Sequence, residues 1–224
     1  MFSRRLTVNS LNAPQRSEEW LQARVGKVTA SRVHDIVAQT KSGGHTAQRK
    51  NYMGELVRER LSGRPYPQYV NAAMEHGSAK EPTARFNYAL KSGHEITEVG
   101  FIPHPNIEDA GASPDGLVGA DGIVEIKCPW SPWVHMERLV ATERTGWGIE
   151  PKYYDQMMWQ LACLPDRKWA DFVSYDEEGL PENMQLIIRR VPRDDKHIAH
   201  METLVVQFLG DVNATVDLLR KRYP

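Results

Sequence analysis

The passage Ser113-Pro114-Asp115-Gly116-Leu117, followed by Gly122-Ile123-Val124-Glu125-Ile126-Lys127-Cys128-Pro129, sets the terms for the rest of the chain. Its second part is a short apolar-rich run closed by Gly122 and Pro129, which reads as a β-strand. Alternate side chains of a strand share a face, so Ile123, Glu125 and Lys127 point one way and Val124, Ile126 and Cys128 the other. The second set is apolar and is expected to face the core. The first set then presents a carboxylate and an ammonium side by side on a sheet surface. A hairpin turn at Gly119 to Gly122 folds Asp115 back beside Glu125, which gathers two carboxylates and one lysine.

Upstream of this hairpin the pattern is helical. Ser17 with Glu18 and Glu19 marks a helix start, carrying Trp20, Leu21 and Arg24 before Gly26 stops it. Thr29 is expected to cap a second helix through Val33, Ile36 and Val37. A flexible basic loop spans 40–46, and Met53, Leu56, Val57 and Leu61 form the apolar stripe of a third helix. A helical pattern returns at 71–91 with Pro82 inside it, which predicts a kink or a restart just after Glu81. Residues 95–128 are strand-like, punctuated by Gly111, Pro114, Gly116 and Gly122.

Downstream, helices are predicted at 131–143 and from Pro151, a favoured first helical position, to about Leu164. Strands follow at 168–175 and 184–191, then a final helix at 194–221. The sum is an α/β class, a central mixed β-sheet flanked by helices. With no repeat, low-complexity tract or long linker in 224 residues, one domain over 1–224 is expected.

The formal net charge of -1 argues mildly against a nucleic-acid partner when taken whole. Its distribution differs: residues 1–64 hold 12 Lys+Arg against 5 Asp+Glu, whereas residues 65–130 hold 4 against 9. Charge blocks of this kind also arise as plain solvated faces, so what occupies the acidic middle decides between that reading and a functional division. No apolar run approaches the ~20 residues of a membrane span. The segment after Arg4 and Arg5 is too polar for a signal-peptide core. A cytoplasmic protein with no membrane partner is expected.

Two carboxylates beside a lysine suit metal-assisted phosphodiester hydrolysis. Mg²⁺ takes oxygen ligands and keeps several waters, so two carboxylates and a backbone carbonyl suffice. The metal lowers the pKa of a bound water and offsets developing charge, while Lys127 can stabilise transition-state oxyanions or hold the attacking water. A glutamate and a lysine two residues apart also occur as plain charge on exposed strands. The preceding Pro114-Asp115 turn leaves both readings open, and the rest of the chain must separate them.

Pro114-Asp115, Glu125, Ile126 and Lys127 form the PD-(D/E)XK nuclease signature. Over about residues 17–165 the wider wording resembles the lambda exonuclease and YqaJ-type viral recombinase family. Its words here are Trp20 to Arg24, Thr29-Ala30-Ser31 with Val33 and His34, Gly77 to Glu81, Ser113 to Leu117, Glu125 to Pro129, and Gln156. The resemblance implies a restriction-endonuclease-like core in which Asp115, Glu125 and the Ile126 carbonyl are metal ligands and Lys127 is the catalytic lysine. It also implies that Glu81 completes the metal site from a helix and that Gln156 lies near the scissile strand. Arg24 and Ser31 would grip a terminal 5′-phosphate, Met74 would act as an apolar wedge, and Lys41 would reach toward duplex DNA. Gln160 stands where helicase-linked relatives carry tyrosine, which favours the phage-type branch.

The implied activity is a Mg²⁺-dependent 5′-to-3′ exonuclease, with Mn²⁺ able to substitute. It would digest one strand of double-stranded DNA from a 5′-phosphorylated end, leaving 3′ tails for phage-type homologous recombination. The resemblance further implies a ring-shaped homotrimer, a phage single-strand annealing protein as partner, and a phage or prophage origin in a bacterial host. The alternatives are a PD-(D/E)XK endonuclease, either restriction or junction-resolving, and a catalytically silent DNA-end-binding module. No Walker A or GxGxxG loop occurs, so no nucleotide cofactor is expected. Two cysteines, Cys128 and Cys163, supply neither a zinc knuckle nor a disulfide framework, and no iron-sulfur cluster is expected. His197 and His200 make a weak metal pair, and Trp130, Trp133, Trp147, Trp159 and Trp169 read as core or subunit-interface residues.

Overall fold

The computed structural model describes residues 11–67 and 69–224, so Arg4 and Arg5 lie outside the described residues. Helix α1 (Glu18–Arg24) begins at Ser17, whose hydroxyl accepts the Trp20 N–H as an N-cap. Strand β1 (Val28–Thr29) leads into a 3₁₀ turn (Ala30–Arg32) and then α2 (Val33–Val37). Thr29 does not cap this helix with its side chain, because it belongs to the strand and donates its own N–H to Tyr52 Oη at 3.1 Å. Helix α3 (Ala47–Ser62) is capped by Thr46 and closed by Gly63 in the left-handed region, at φ 67°.

Helix α4 (Ala72–Ser92) runs through Pro82 as one element, so of the predicted kink or restart the restart does not occur. Proline removes one backbone donor, but Ala84 and Tyr88 are fully buried against the sheet just beyond it. The Glu81–Arg85 ion pair at 2.6 Å spans the same turn. Tertiary packing therefore carries the helix past its weakest residue.

The short strands β2 (Ile96–Thr97), β3 (Ile102–Pro103), β4 (Ala110–Ala112) and β5 (Gly116–Val118) precede β6 (Gly122–Lys127), and β7 (Trp169–Tyr175) and β8 (Leu186–Pro192) follow it. One sheet has the order β1-β4-β3 and the other β2-β5-β6-β7-β8. In the larger sheet only the β6–β7 pair is parallel. The β6–β7 crossover carries α5 (Pro132–Val140) and α6 (Pro151–Ala162), while α7 (Glu182–Gln185) precedes β8 and α8 (Asp195–Arg222) closes the chain.

The position of β6 in this sheet corrects the expected open face. Ile123 packs with Met157, Met158 and Phe172 in a core that extends to Phe208 of α8. Val124, Ile126 and Cys128 pack with Ala84, Tyr88 and Val173 on the α4 side. Helices thus cover both faces, and residues 122–126 are all buried. A central strand in a two-faced sheet cannot leave its Glu-x-Lys face to solvent. No described helix is long and apolar enough to cross a membrane.

Candidate active site

The β5–β6 hairpin pairs Gly116 with Val124, which sets Asp115 opposite Glu125. Its turn is fixed from outside by Arg167, which donates to the carbonyls of Gly119 and Gly122 at 2.8 Å each. Asp115 Oδ2 accepts the Ile126 N–H at 2.6 Å, so the Pro-Asp turn is stitched to the strand it faces. Glu125 is only 1% exposed, yet both its oxygens are occupied. Lys127 Nζ and Gln156 Nε2 donate to Oε1, the latter at 2.7 Å, and Gln160 Nε2 donates to Oε2 at 2.6 Å. Gln156 and Gln160 lie one helical turn apart on α6, so the same face brings one amide to each oxygen.

Electrostatics in this buried group are strained in one direction. Burial first, then the charges of Glu125 and Glu81, raise the Asp115 pKa well above the carboxylate range, against Lys127 and the Ile126 N–H. For Lys127 burial alone would lower the pKa, but the charges of Glu125 and Asp115 outweigh it and raise it. Lys127 therefore stays an ammonium, held 4.9 Å above the Tyr153 ring. Burial pushes the neighbouring Cys128 thiol up to about 12, so it is no nucleophile at neutral pH.

These groups line a cleft of about 670 Å³, together with Glu81, Gln156, Arg24, Ser31 and Met74. Lys41 is exposed in the turn before α3 and does not line it. Glu81 is gripped on both oxygens, by Arg16 at 2.8 Å and Arg85 at 2.6 Å. Arg24 lies 3.8 Å from the Trp20 ring centroid and forms no ion pair among the described residues. Burial brings its pKa down to about 10, where it is still charged at neutral pH. Trp20 Nε1 donates to Ser113 Oγ at 2.9 Å, and Gln15 Nε2 donates to the Pro114 carbonyl at 2.8 Å. The N-terminal arm is thereby bolted to the Pro-Asp turn.

As for metal, no cluster of three or more His, Cys, Asp or Glu groups poised to hold an ion occurs among the described residues. Mg²⁺ does not require one, since one or two carboxylates serve when waters and substrate phosphate complete the shell. Asp115, Glu125 and the Ile126 carbonyl fit that demand, and the crowding of negative charge around Asp115 is what a divalent cation relieves.

Several neighbours were not signalled by the sequence. Arg16, Lys152, Tyr153 and Arg138 line the cleft through contacts made only by the fold. Gln160 could have been found from its i, i+4 relation to Gln156. Trp159 is core, whereas Trp130 and Trp133 are 61% and 67% exposed and Trp147 is also exposed, which corrects the core reading for these three. Helix α5 buries only His135 and Arg138, leaving its tryptophan outside. His197 does not pair with His200; it meets Asp155 at 2.7 Å, whose other oxygen meets His34 at 2.6 Å.

A hairpin aspartate facing a buried Glu-x-Lys on the central strand of a mixed sheet is the architecture of the PD-(D/E)XK nucleases. Residues 19–166 match the YqaJ-like viral recombinase domain, and the chain belongs to that family. Two structures of an alkaline exonuclease, LHK-Exo, from Laribacter hongkongensis are similar to it, one of them in complex with dAMP. They are 47% and 48% identical, cover 92% of this chain and 97% of theirs, and superpose with TM-scores of 0.82 and 0.81. A phage-related exonuclease from Haemophilus somnus 129PT, 18% identical over 88% of this chain and 96% of its own, shares the fold at a TM-score of 0.64. No curated protein matches the sequence.

Proposed function

We propose that the chain is a Mg²⁺-dependent 5′-to-3′ exonuclease that digests one strand of duplex DNA from a 5′-phosphorylated end, in recombination of the phage type. Family membership and the 47–48% identity to an alkaline exonuclease support a DNA nuclease. The observation that carries the finer reading is the sharing of one cleft by Asp115, Glu125 and Lys127 with Arg24 and Ser31. Arg24, which forms no ion pair among the described residues, is suited to pair bidentately with phosphate oxygens. Ser31 lies in the turn after β1 and offers a hydroxyl to the same phosphate.

Asp115, Glu125 and the Ile126 carbonyl would hold Mg²⁺, with Glu81 joining by releasing one guanidinium. When bound, Mg²⁺ supplies charge neutralisation at the phosphate and activates water for attack; Mn²⁺ can substitute. Gln156 and Gln160 fix the plane of the Glu125 carboxylate. The Lys127 ammonium orients the attacking water and stabilises the phosphate oxygens as charge builds. Met74 on α4 would part the terminal base pair. The product tail would pass to a single-strand annealing protein, and a homotrimer would keep hold of the duplex between cuts.

Linear duplex labelled separately at its 5′ and 3′ ends, with and without Mg²⁺ and a 5′-phosphate, tests reaction, polarity and metal dependence together. Release of the 5′ label as mononucleotide, only with metal and faster with the phosphate, is expected. Lys127→Ala should lose at least ~100-fold in rate while still binding DNA. Equal cutting of unphosphorylated ends, or ready nicking of closed circles, would favour an endonuclease.

A further inference from the structure

We propose that Trp130 is a stacking platform for a nucleobase of the strand being cut, a subsite of the cleft that rests on the nuclease reading. Trp130 follows Lys127 by three residues, and Pro129 between them locks its own φ. The Trp130 Cα therefore lies at most ~11 Å from that of Lys127. At ~3.4 Å per nucleotide that backbone spacing corresponds to about three nucleotides, which sets the positions worth testing.

The indole lines the same cleft as Asp115, Glu125 and Lys127, yet it is 61% exposed. His76 meets it with ring centroids 5.3 Å apart and planes at 90°, so the imidazole takes up at most one of the two faces. Met74 and Gly77 of α4 and Ser131 line the same cleft, and Lys152 and Arg24 on it would supply positive charge for the backbone that carries the base. A large aromatic left wet at the mouth of a phosphate-handling cleft has the chemistry of a base-stacking surface, which accepts any base because each has a π-face. That suits an enzyme that must process every sequence it meets.

The test is a cycle between protein and DNA, read as binding affinity of the full chain with Ca²⁺ replacing Mg²⁺. Trp130→Ala should weaken binding of a 5′-phosphorylated duplex end by about 10-fold or more, and Trp130→Phe should recover most of it. Abasic residues are then placed singly at the first, second and third nucleotides of the 5′ strand. At one of these positions the wild type and Trp130→Ala should bind within about 2-fold of each other, because the partner base is already gone. An undiminished alanine effect at all three positions overturns the proposal. So does a change of molecular mass in light scattering on Trp130→Ala, which would place the indole in a subunit interface. A wild type that binds ends but releases no mononucleotide with Mg²⁺ would instead sink the nuclease reading, and the affinity cycle would still decide the stacking.

Discussion

Asp115 is surrounded by the least favourable charge distribution in the cleft, since burial and the Glu125 and Glu81 carboxylates all oppose its ionisation. Its folded pKa therefore lies above the unfolded value of about 4. Below that unfolded value both states hold the proton and the site is neutral to stability. As pH rises through the folded pKa the unfolded state has already lost its proton, and the metal-free protein loses stability. Asp115→Asn keeps an oxygen for the Ile126 N–H and removes the charge. In EDTA at pH 8 it is expected to raise Tm by a few degrees, about 0.5–2 kcal/mol, and to abolish cleavage. The gain should vanish near pH 4; a gain equal at both pH values, seen by calorimetry, would show that charge crowding is not its cause. Residues of this kind were legible because a period of two and a turn suffice to gather Asp115, Glu125 and Lys127. Arg16 on Glu81 was not, because 65 positions of sequence separate the partners and only the fold closes them.

Helix α4 and strand β6 show where element-level reading succeeds and where packing overrides it. The glycines of the hairpin region read as turn punctuation, but only Gly119 has turn geometry, at φ 53°. Gly111 instead lies in β4, where a Cβ would come within 2.3 Å of the Phe101 ring and 2.6 Å of the Ile102 carbonyl. Close approach and turn formation leave the same letter in a sequence. Pro82 allows a kink or a restart, and the restart is prevented by Ala84 and Tyr88, which bury the helix beyond it. The helix nevertheless forgoes one backbone hydrogen bond at the Ser78 carbonyl. Pro82→Ala restores that donor at the expense of a freer unfolded chain. A net gain of about 1–2 kcal/mol, or roughly 2–8 °C in Tm, is expected in a thermal melt. A fall in Tm would mean that α4 is already relaxed around its proline.

At the scale of the molecule, part of the basic N-terminal third is taken up internally: Arg32 binds Asp35 and Glu55, Arg49 binds Asp211, and Arg60 binds Asp109. Arg24 and Lys152 line the cleft with no ion pair among the described residues, so under the proposed function salt sensitivity should track them more than the total charge. Apolar exposure is the more informative whole-chain property. Phe86 and Leu90, one turn apart on α4, are 63% and 68% exposed, and Trp133 and Val140 stand out from α5 at 67% and 79%. A closed ring needs two different, complementary patches on each subunit, because its contacts are head-to-tail. These two stripes on separate helices offer two different apolar patches of the kind such a contact needs. The family resemblance implies three copies in such a ring, so light scattering is expected to give three times the 25.5 kDa of one chain. Either Phe86→Glu or Val140→Glu should break it down to monomer, since each spoils a different half of one repeated contact. The dissociated variants should keep the first cut at a DNA end and lose long runs of digestion, as a monomer cannot retain its substrate by enclosure. A wild type that remains monomeric at every working concentration would remove the ring, and with it the proposed hold on the duplex between cuts.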